Sequence, residues 1–83
     1  MTPNALALLG VGDKIAELDA IGNVMLDTMQ AVTYIDRTPA VTYVYTNSDD
    51  YRCYPFNTNT GAAQPAEWGW DGRETVIDIV KLA

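Results

Sequence analysis

The chain has 83 residues, 48% of them hydrophobic, which is enough for one folded domain near the size where a single core is only just sufficient. Its 11 acidic residues outnumber 5 basic ones, giving a formal net charge of −6; direct binding to nucleic acid, which needs a basic surface to release counterions, is therefore disfavoured. It contains no histidine and a single cysteine, which excludes Ser-His and Cys-His nucleophile systems, imidazole metal ligands and an intramolecular disulfide, and argues against a cysteine-rich zinc site.

The first charged residue is Asp13, so the start of the chain lacks the basic segment of a secretory signal, and the apolar run at 5–9 is too short to span a bilayer. The expected location is the cytosol. Thr2 and Pro3 have the chemistry of an N-cap and a first helical residue. Leu6, Leu8 and Leu9 then form a short apolar turn ended by Gly10 and Gly12, too short to be stable unless it packs on the rest of the fold.

Residues 13–31 admit two readings. Ile15, Leu18, Ile21 or Gly22, Met25, Met29 and Val32 recur at helical spacing. Against a helix, Gly22-Asn23 interrupts the stripe with two weak helix formers and is itself a hairpin turn signal between two short strands. The hairpin is preferred, with the helix as its alternative.

Residues 31–57 predict three antiparallel strands joined by turns at 37–40 and 47–50, where Pro39, Asn47, Asp49 and Asp50 supply turn chemistry. With simple four-residue turns, Tyr34 lies opposite Tyr43 and Tyr43 opposite Tyr54. One face then carries Val32, Tyr34, Val41, Tyr43, Tyr45, Tyr54 and Phe56, and the other Thr33, Ile35, Thr42, Val44, Thr46, Tyr51 and Cys53. A slip of one residue exchanges the faces of a strand. Pro55 cannot donate a ladder hydrogen bond, so its strand belongs at an edge or carries a bulge. Residues 57–72 read as one long polar loop with room for a helical turn over 65–68, and the β-branched run at 75–80 reads as a closing strand.

Few residues offer chemistry. Asp49 and Asp50 are adjacent in an expected turn, and neighbours in an extended chain tend to point apart, whereas a catalytic pair has to face each other across a cleft. Asn57-Thr58-Asn59-Thr60-Gly61 lacks the spacing and lysine of a phosphate loop and reads as a turn. Cys53 is expected as a small buried hydrophobe. The row of Tyr34, Tyr43, Tyr45 and Tyr54, with Arg52 nearby, is either half a core or an exposed aromatic platform, since four phenol hydroxyls are hard to satisfy in a small dry interior. In Glu67-Trp68-Gly69-Trp70-Asp71, two tryptophans flanked by acids sit on a glycine-hinged loop; Trp68 is expected inward and Trp70 outward as a recognition tip.

Val11-Gly12-Asp13-Lys14-Ile15 resembles the opening strand of small SH3-like barrels, and Tyr54-Pro55-Phe56 running into Thr60-Gly61 is similar to a strand ending in small phage-encoded proteins of that kind. The resemblance implies an all-β barrel of about five strands that serves as a binding module. The long loop at 57–72 and the stripe at 15–32 depart from the pattern. The small acidic format also resembles phage or mobile-element proteins that inhibit host machinery.

The expected fold is thus mainly β: a small antiparallel SH3-like barrel of about five strands with a short N-terminal helical turn, the alternative being α+β with a helix at 13–31 packed on a four-stranded antiparallel sheet. The expected function is non-enzymatic, since no nucleophile system or acid–base pair can be assembled, and no cofactor or metal is expected. Asp49, Asp50, Glu67 and Asp71, with Trp70, would meet a basic partner surface, one that normally holds nucleic acid. The alternatives are a small-molecule or nucleotide-binding barrel using Tyr34, Tyr43, Tyr45, Tyr54 and Arg52, and an oligomer-forming subunit that pairs through the 75–80 edge or the tyrosine face.

Overall fold

The computed structural model describes residues 1–48, 53–67 and 74–83. Helix α1 (Pro3–Leu8) starts as its sequence dictates: the Thr2 hydroxyl accepts from the Ala5 amide at 3.1 Å, and Pro3 occupies a position that needs no donor. Leu6 and Leu9 enter the core, while Leu8 stays 79% exposed. The carbonyls at the end of the helix are satisfied from a distance. Arg37 donates to the Leu6 carbonyl at 3.0 Å and to the Leu9 carbonyl at 2.7 Å, placing a cation where the helix dipole is negative.

Strands β1 (Lys14–Leu18) and β2 (Val24–Arg37) form the expected hairpin, so the helical alternative at 13–31 does not hold. The turn is wider than a two-residue Gly-Asn connection. Asp19 donates its amide to the Asn23 carbonyl at 2.9 Å and accepts from the Gly22 amide at 3.1 Å, and Gly22 takes φ 89°, a conformation that favours glycine. The Asp19 carboxylate also accepts from the Ile21 and Asn23 amides. A large bulge follows, in which residues 26–29 of β2 lie opposite Ala16 alone. Thr28 pins it: its hydroxyl accepts from the Glu17 amide at 2.7 Å and donates to the Met25 carbonyl at 2.6 Å. The apparent helical stripe is therefore divided between a turn, a bulge and a core face.

Strand β3 (Val41–Thr46) pairs with β2, and β4 (Cys53–Asn57) pairs with β3. The first connection is tighter than expected. Thr38 and Val41 already bond each other across it, leaving Pro39 and Ala40 as the loop, so Tyr34 lies opposite Tyr45 and Asp36 opposite Tyr43. A shift of two residues keeps the faces, and Tyr34, Tyr43 and Tyr45 remain together. A bulge between Val32 and Tyr34 moves Val32 off that face and into the core.

The second register differs by one. Tyr43 opposes Pro55, and Val44 opposes Tyr54, not Tyr43. That slip turns Tyr54 and Phe56 inward, both fully buried, and places Cys53 on the outer side opposite Tyr45. The physical reason is volume and polarity. The inner face of β3 presents Thr42, Val44 and Thr46, which leave space for two rings, and the Tyr54 hydroxyl finds partners there. Pro55 lies on the edge strand, as its missing donor requires, and its carbonyl accepts from Gln64 at 2.9 Å.

The segment 57–72 is not one loop with a helical turn. Strand β5 (Pro65–Glu67) pairs with β6 (Glu74–Val76), and Ala63 bridges to Phe56. The expected strand at 75–80 divides after Val76, and β7 (Ile79–Lys81) pairs with β1. Asp78 makes the break. Its carboxylate accepts from the amide of Ile79 at 2.9 Å and from the Met1 ammonium at 2.7 Å.

The main sheet is antiparallel and five-stranded, in the order β4-β3-β2-β1-β7. It is mainly β with a short N-terminal helical turn, as expected, but open: β4 and β7 do not pair. The start of the chain lies in that opening. Met1 reaches Asp78 beside β7, and Gly61, after β4, lies so close to the backbone of Met1, Thr2 and Pro3 that a Cβ would collide with it. Below α1, the core gathers Leu6, Leu9, Ile15, Val32, Val44, Tyr54, Phe56 and Ile79. No described helix is long and apolar enough to cross a membrane.

Candidate functional site

The alternation of β2, β3 and β4 turns a compact set of side chains outward. Tyr34, 58% exposed, lies directly opposite Tyr45, and their ring centroids are 5.7 Å apart at an angle of 42°. Such a tilted pair is a favourable ring geometry and adds to the pairing of the strands. Asp36 comes two residues after Tyr34 and opposes Tyr43, both half-buried. Cys53 and Pro55 extend the face onto β4.

The groups of this face interact electrically. Burial pushes the Cys53 thiol above its usual range; its hydrogen bond with Tyr45 opposes that effect, and the charge of Asp36 adds to it. The Tyr45 phenol is also raised, first by the neighbouring Cys53, then by burial, and further by Asp36 and Tyr43. No described cation joins them. Arg37 is committed to the helix carbonyls, Lys81 pairs with Asp13 at 3.5 Å, and Lys14 lies opposite Ala31, beyond the Val32–Tyr34 bulge.

Of the residues expected to form a ligand face, Tyr34, Tyr43 and Tyr45 are thus brought together. Tyr54 is a correction: it lies in the core on the opposite side of the sheet. Arg52 falls outside the described residues, as do Asp49, Asp50, Trp68, Trp70 and Asp71 from the expected partner-binding set. Glu67 is described through its backbone, at the end of β5 opposite Glu74.

A buried polar cluster lies under the sheet. Tyr54 donates to the Glu17 carboxylate at 2.6 Å, and Gln30 donates to the Tyr54 oxygen at 2.7 Å and to the Thr28 carbonyl at 2.9 Å. Thr46 donates in turn to the Gln30 side-chain oxygen. A carboxylate joined to a phenol can pass a proton, and here both groups are enclosed, Glu17 at 4% exposure and Tyr54 at 0%. Glu17 and Gln30 were not singled out by the sequence. The available signal was parity: Glu17 shares the inward face of β1 with Ile15.

Among the described residues, two open cavities lie beside α1. One of about 180 Å³ is lined by Pro3, Leu6, Ala7, Arg37, Thr42 and Thr58. Another of about 360 Å³ lies between the start of the chain and β7, beside Asp78 and Lys81. Among the described residues, no three histidine, cysteine or acidic side chains converge as metal ligands. In comparison with known proteins, no family, no curated protein and no solved structure matches the chain.

Proposed function

We propose that the protein is a small acidic, non-enzymatic protein-binding module that occludes a basic surface of its partner, one on which the partner holds nucleic acid. The observation that carries this reading is the outward Tyr34–Tyr45 pair beside Asp36, on an antiparallel sheet, in a chain of net charge −6. Tyrosines supply contact area at a small entropic loss and recur as interface anchors, while complementary charge speeds encounter and rejects wrong partners. Asp49, Asp50, Glu67, Trp70 and Asp71 are proposed as the acidic and aromatic residues that meet the partner. Action as a phage or mobile-element inhibitor rests on the small acidic format alone. The proposed compartment is the cytosol, where a single thiol stays reduced.

The test is affinity capture from a lysate of the source cell. A partner retained at low salt and released at high salt is the expected result, with Trp70→Ala or a Tyr34→Ala/Tyr45→Ala double variant weakening it about tenfold. Binding indifferent to salt would remove the charge argument.

The exposed ring pair also favours a second reading, a small-molecule or nucleotide site on the aromatic face. A nucleotide-dependent rise in melting temperature, lost in Tyr43→Ala, would favour it. The carboxylate of Asp36 at the same place opposes a phosphate-bearing ligand. Pairing of two copies through this face is opposed by their like charge, and concentration-dependent gel filtration checks it.

A further inference from the structure

We infer that the outer face formed by Tyr34, Asp36 and Tyr45 is a docking site for a guanidinium group, an arginine side chain carried by a basic partner. The inference rests on the protein-binding reading and specifies what the partner presents.

Three features of the face fit that group. The rings of Tyr34 and Tyr45 are tilted by 42° with centroids 5.7 Å apart, so they do not cover each other, and Tyr34 is largely exposed. A guanidinium is planar and weakly hydrated, and it stacks on aromatic faces through the ring quadrupole. Asp36 shares the strand face of Tyr34 and stands across from Tyr43, half-buried between the strands. No described cation pairs with its carboxylate. Arg37, next in the chain, points to the other side and donates from its two terminal guanidinium nitrogens to the Leu6 and Leu9 carbonyls. A carboxylate on the same strand face as two exposed rings offers paired acceptors and a stacking surface, and an arginine uses both. Lysine uses only the charge.

Other occupants fit less well. An anionic ligand meets Asp36 and a net charge of −6, and a second copy brings the same charge.

The probe is an acetylated, amidated pentapeptide of alternating glycine and arginine, titrated into the full chain at low salt while tyrosine ring resonances are followed. Its counterpart carries citrulline, which keeps the shape of arginine but not the charge. The arginine peptide is expected to move the Tyr34 and Tyr45 ring signals and to bind about fivefold more tightly than the citrulline peptide. Asp36→Asn is expected to weaken it about threefold, Tyr34→Leu similarly, and Tyr34→Phe, which keeps the ring, by less than about twofold. Because Tyr34 is exposed, these variants are expected to fold, and unchanged amide spectra away from the face verify that. Equal binding of the two peptides, or an arginine affinity indifferent to Asp36→Asn, overturns the inference. If the peptide fails while a captured partner is still released by salt, the guanidinium site falls and the protein-binding reading stands. If the peptide binds the face but no salt-sensitive partner is captured, the reverse holds.

Discussion

The hydroxyl of Tyr54 donates to the carboxylate of Glu17 at 2.6 Å inside a core otherwise built from leucine, isoleucine, valine and phenylalanine. Both side chains are almost completely enclosed, so the bond is made where an unmatched polar atom is most expensive. Tyr54→Phe keeps the ring but leaves the Glu17 carboxylate and the Gln30 amide each without this partner. A loss of about 1.5–3 kcal/mol is expected, the range for hydrogen bonds to charged groups. Urea denaturation measures it, and a double-mutant cycle with Glu17→Gln isolates the pair.

Gly61 makes a second, purely steric prediction. Its φ of 74° suits glycine, and a Cβ there would lie 2.7 Å from the nitrogen of Pro3 and against the backbone of Met1 and Thr2. Gly61→Ala therefore has to displace the start of the chain as well as adopt a strained conformation. A loss of about 2 kcal/mol or more is expected, with faster amide exchange throughout α1. Unchanged exchange at Leu6 and Leu9 would show that the start of the chain is not held there.

Arg37 ties the β2–β3 hairpin to the helix. Removing its guanidinium in Arg37→Met takes one donor from the Leu6 carbonyl, which still accepts from the Leu9 amide, and takes the side-chain donor from the Leu9 carbonyl, while keeping much of the side-chain bulk. About 1 kcal/mol is expected to be lost, with α1 fraying before the sheet melts. Helical circular dichroism that falls together with the sheet signal would contradict this order.

Particular positions show what could be read in the sequence and what could not. Thr2 and Pro3 announced the helix because capping is local chemistry. The tyrosines at 34, 43 and 45 were legible as one face because their parity survives a two-residue change in turn length. Tyr54 was not, because one residue of register decides which way it points, and what decides it is the space on the inner face of β3 and the core packed there. Gly61 read as an ordinary turn glycine, since its close neighbours are some sixty residues away in the chain. The break at Asp78 was hidden by a run of β-branched residues whose strand preference is satisfied twice, in two different sheets.

The outer face predicts a pH dependence. The folded Cys53 thiol holds its proton more tightly than the unfolded one because it is partly buried. Above the ordinary thiol value of about 8.5, the unfolded chain therefore releases this proton first. The stabilising contribution is complete below that pH and is lost as pH rises through the folded value. Stability should fall more steeply above about pH 8.5 in the natural chain than in Cys53→Ala, and iodoacetamide should alkylate Cys53 more slowly than a free thiol at the same pH. The same variant removes the largest cause of the raised Tyr45 phenol, so its titration should move down toward about 10.

Photochemically induced nuclear polarisation of the tyrosine rings, recorded for the free protein and for its complex with the captured partner, is the most direct test. It reports which phenol rings a dye can touch. Tyr34 and Tyr45 should be polarised in the free protein and silenced in the complex, with Tyr54 silent in both. Polarised Tyr54 in the free protein, or Tyr34 and Tyr45 unaffected by the partner, would contradict the outward aromatic face as the site of binding.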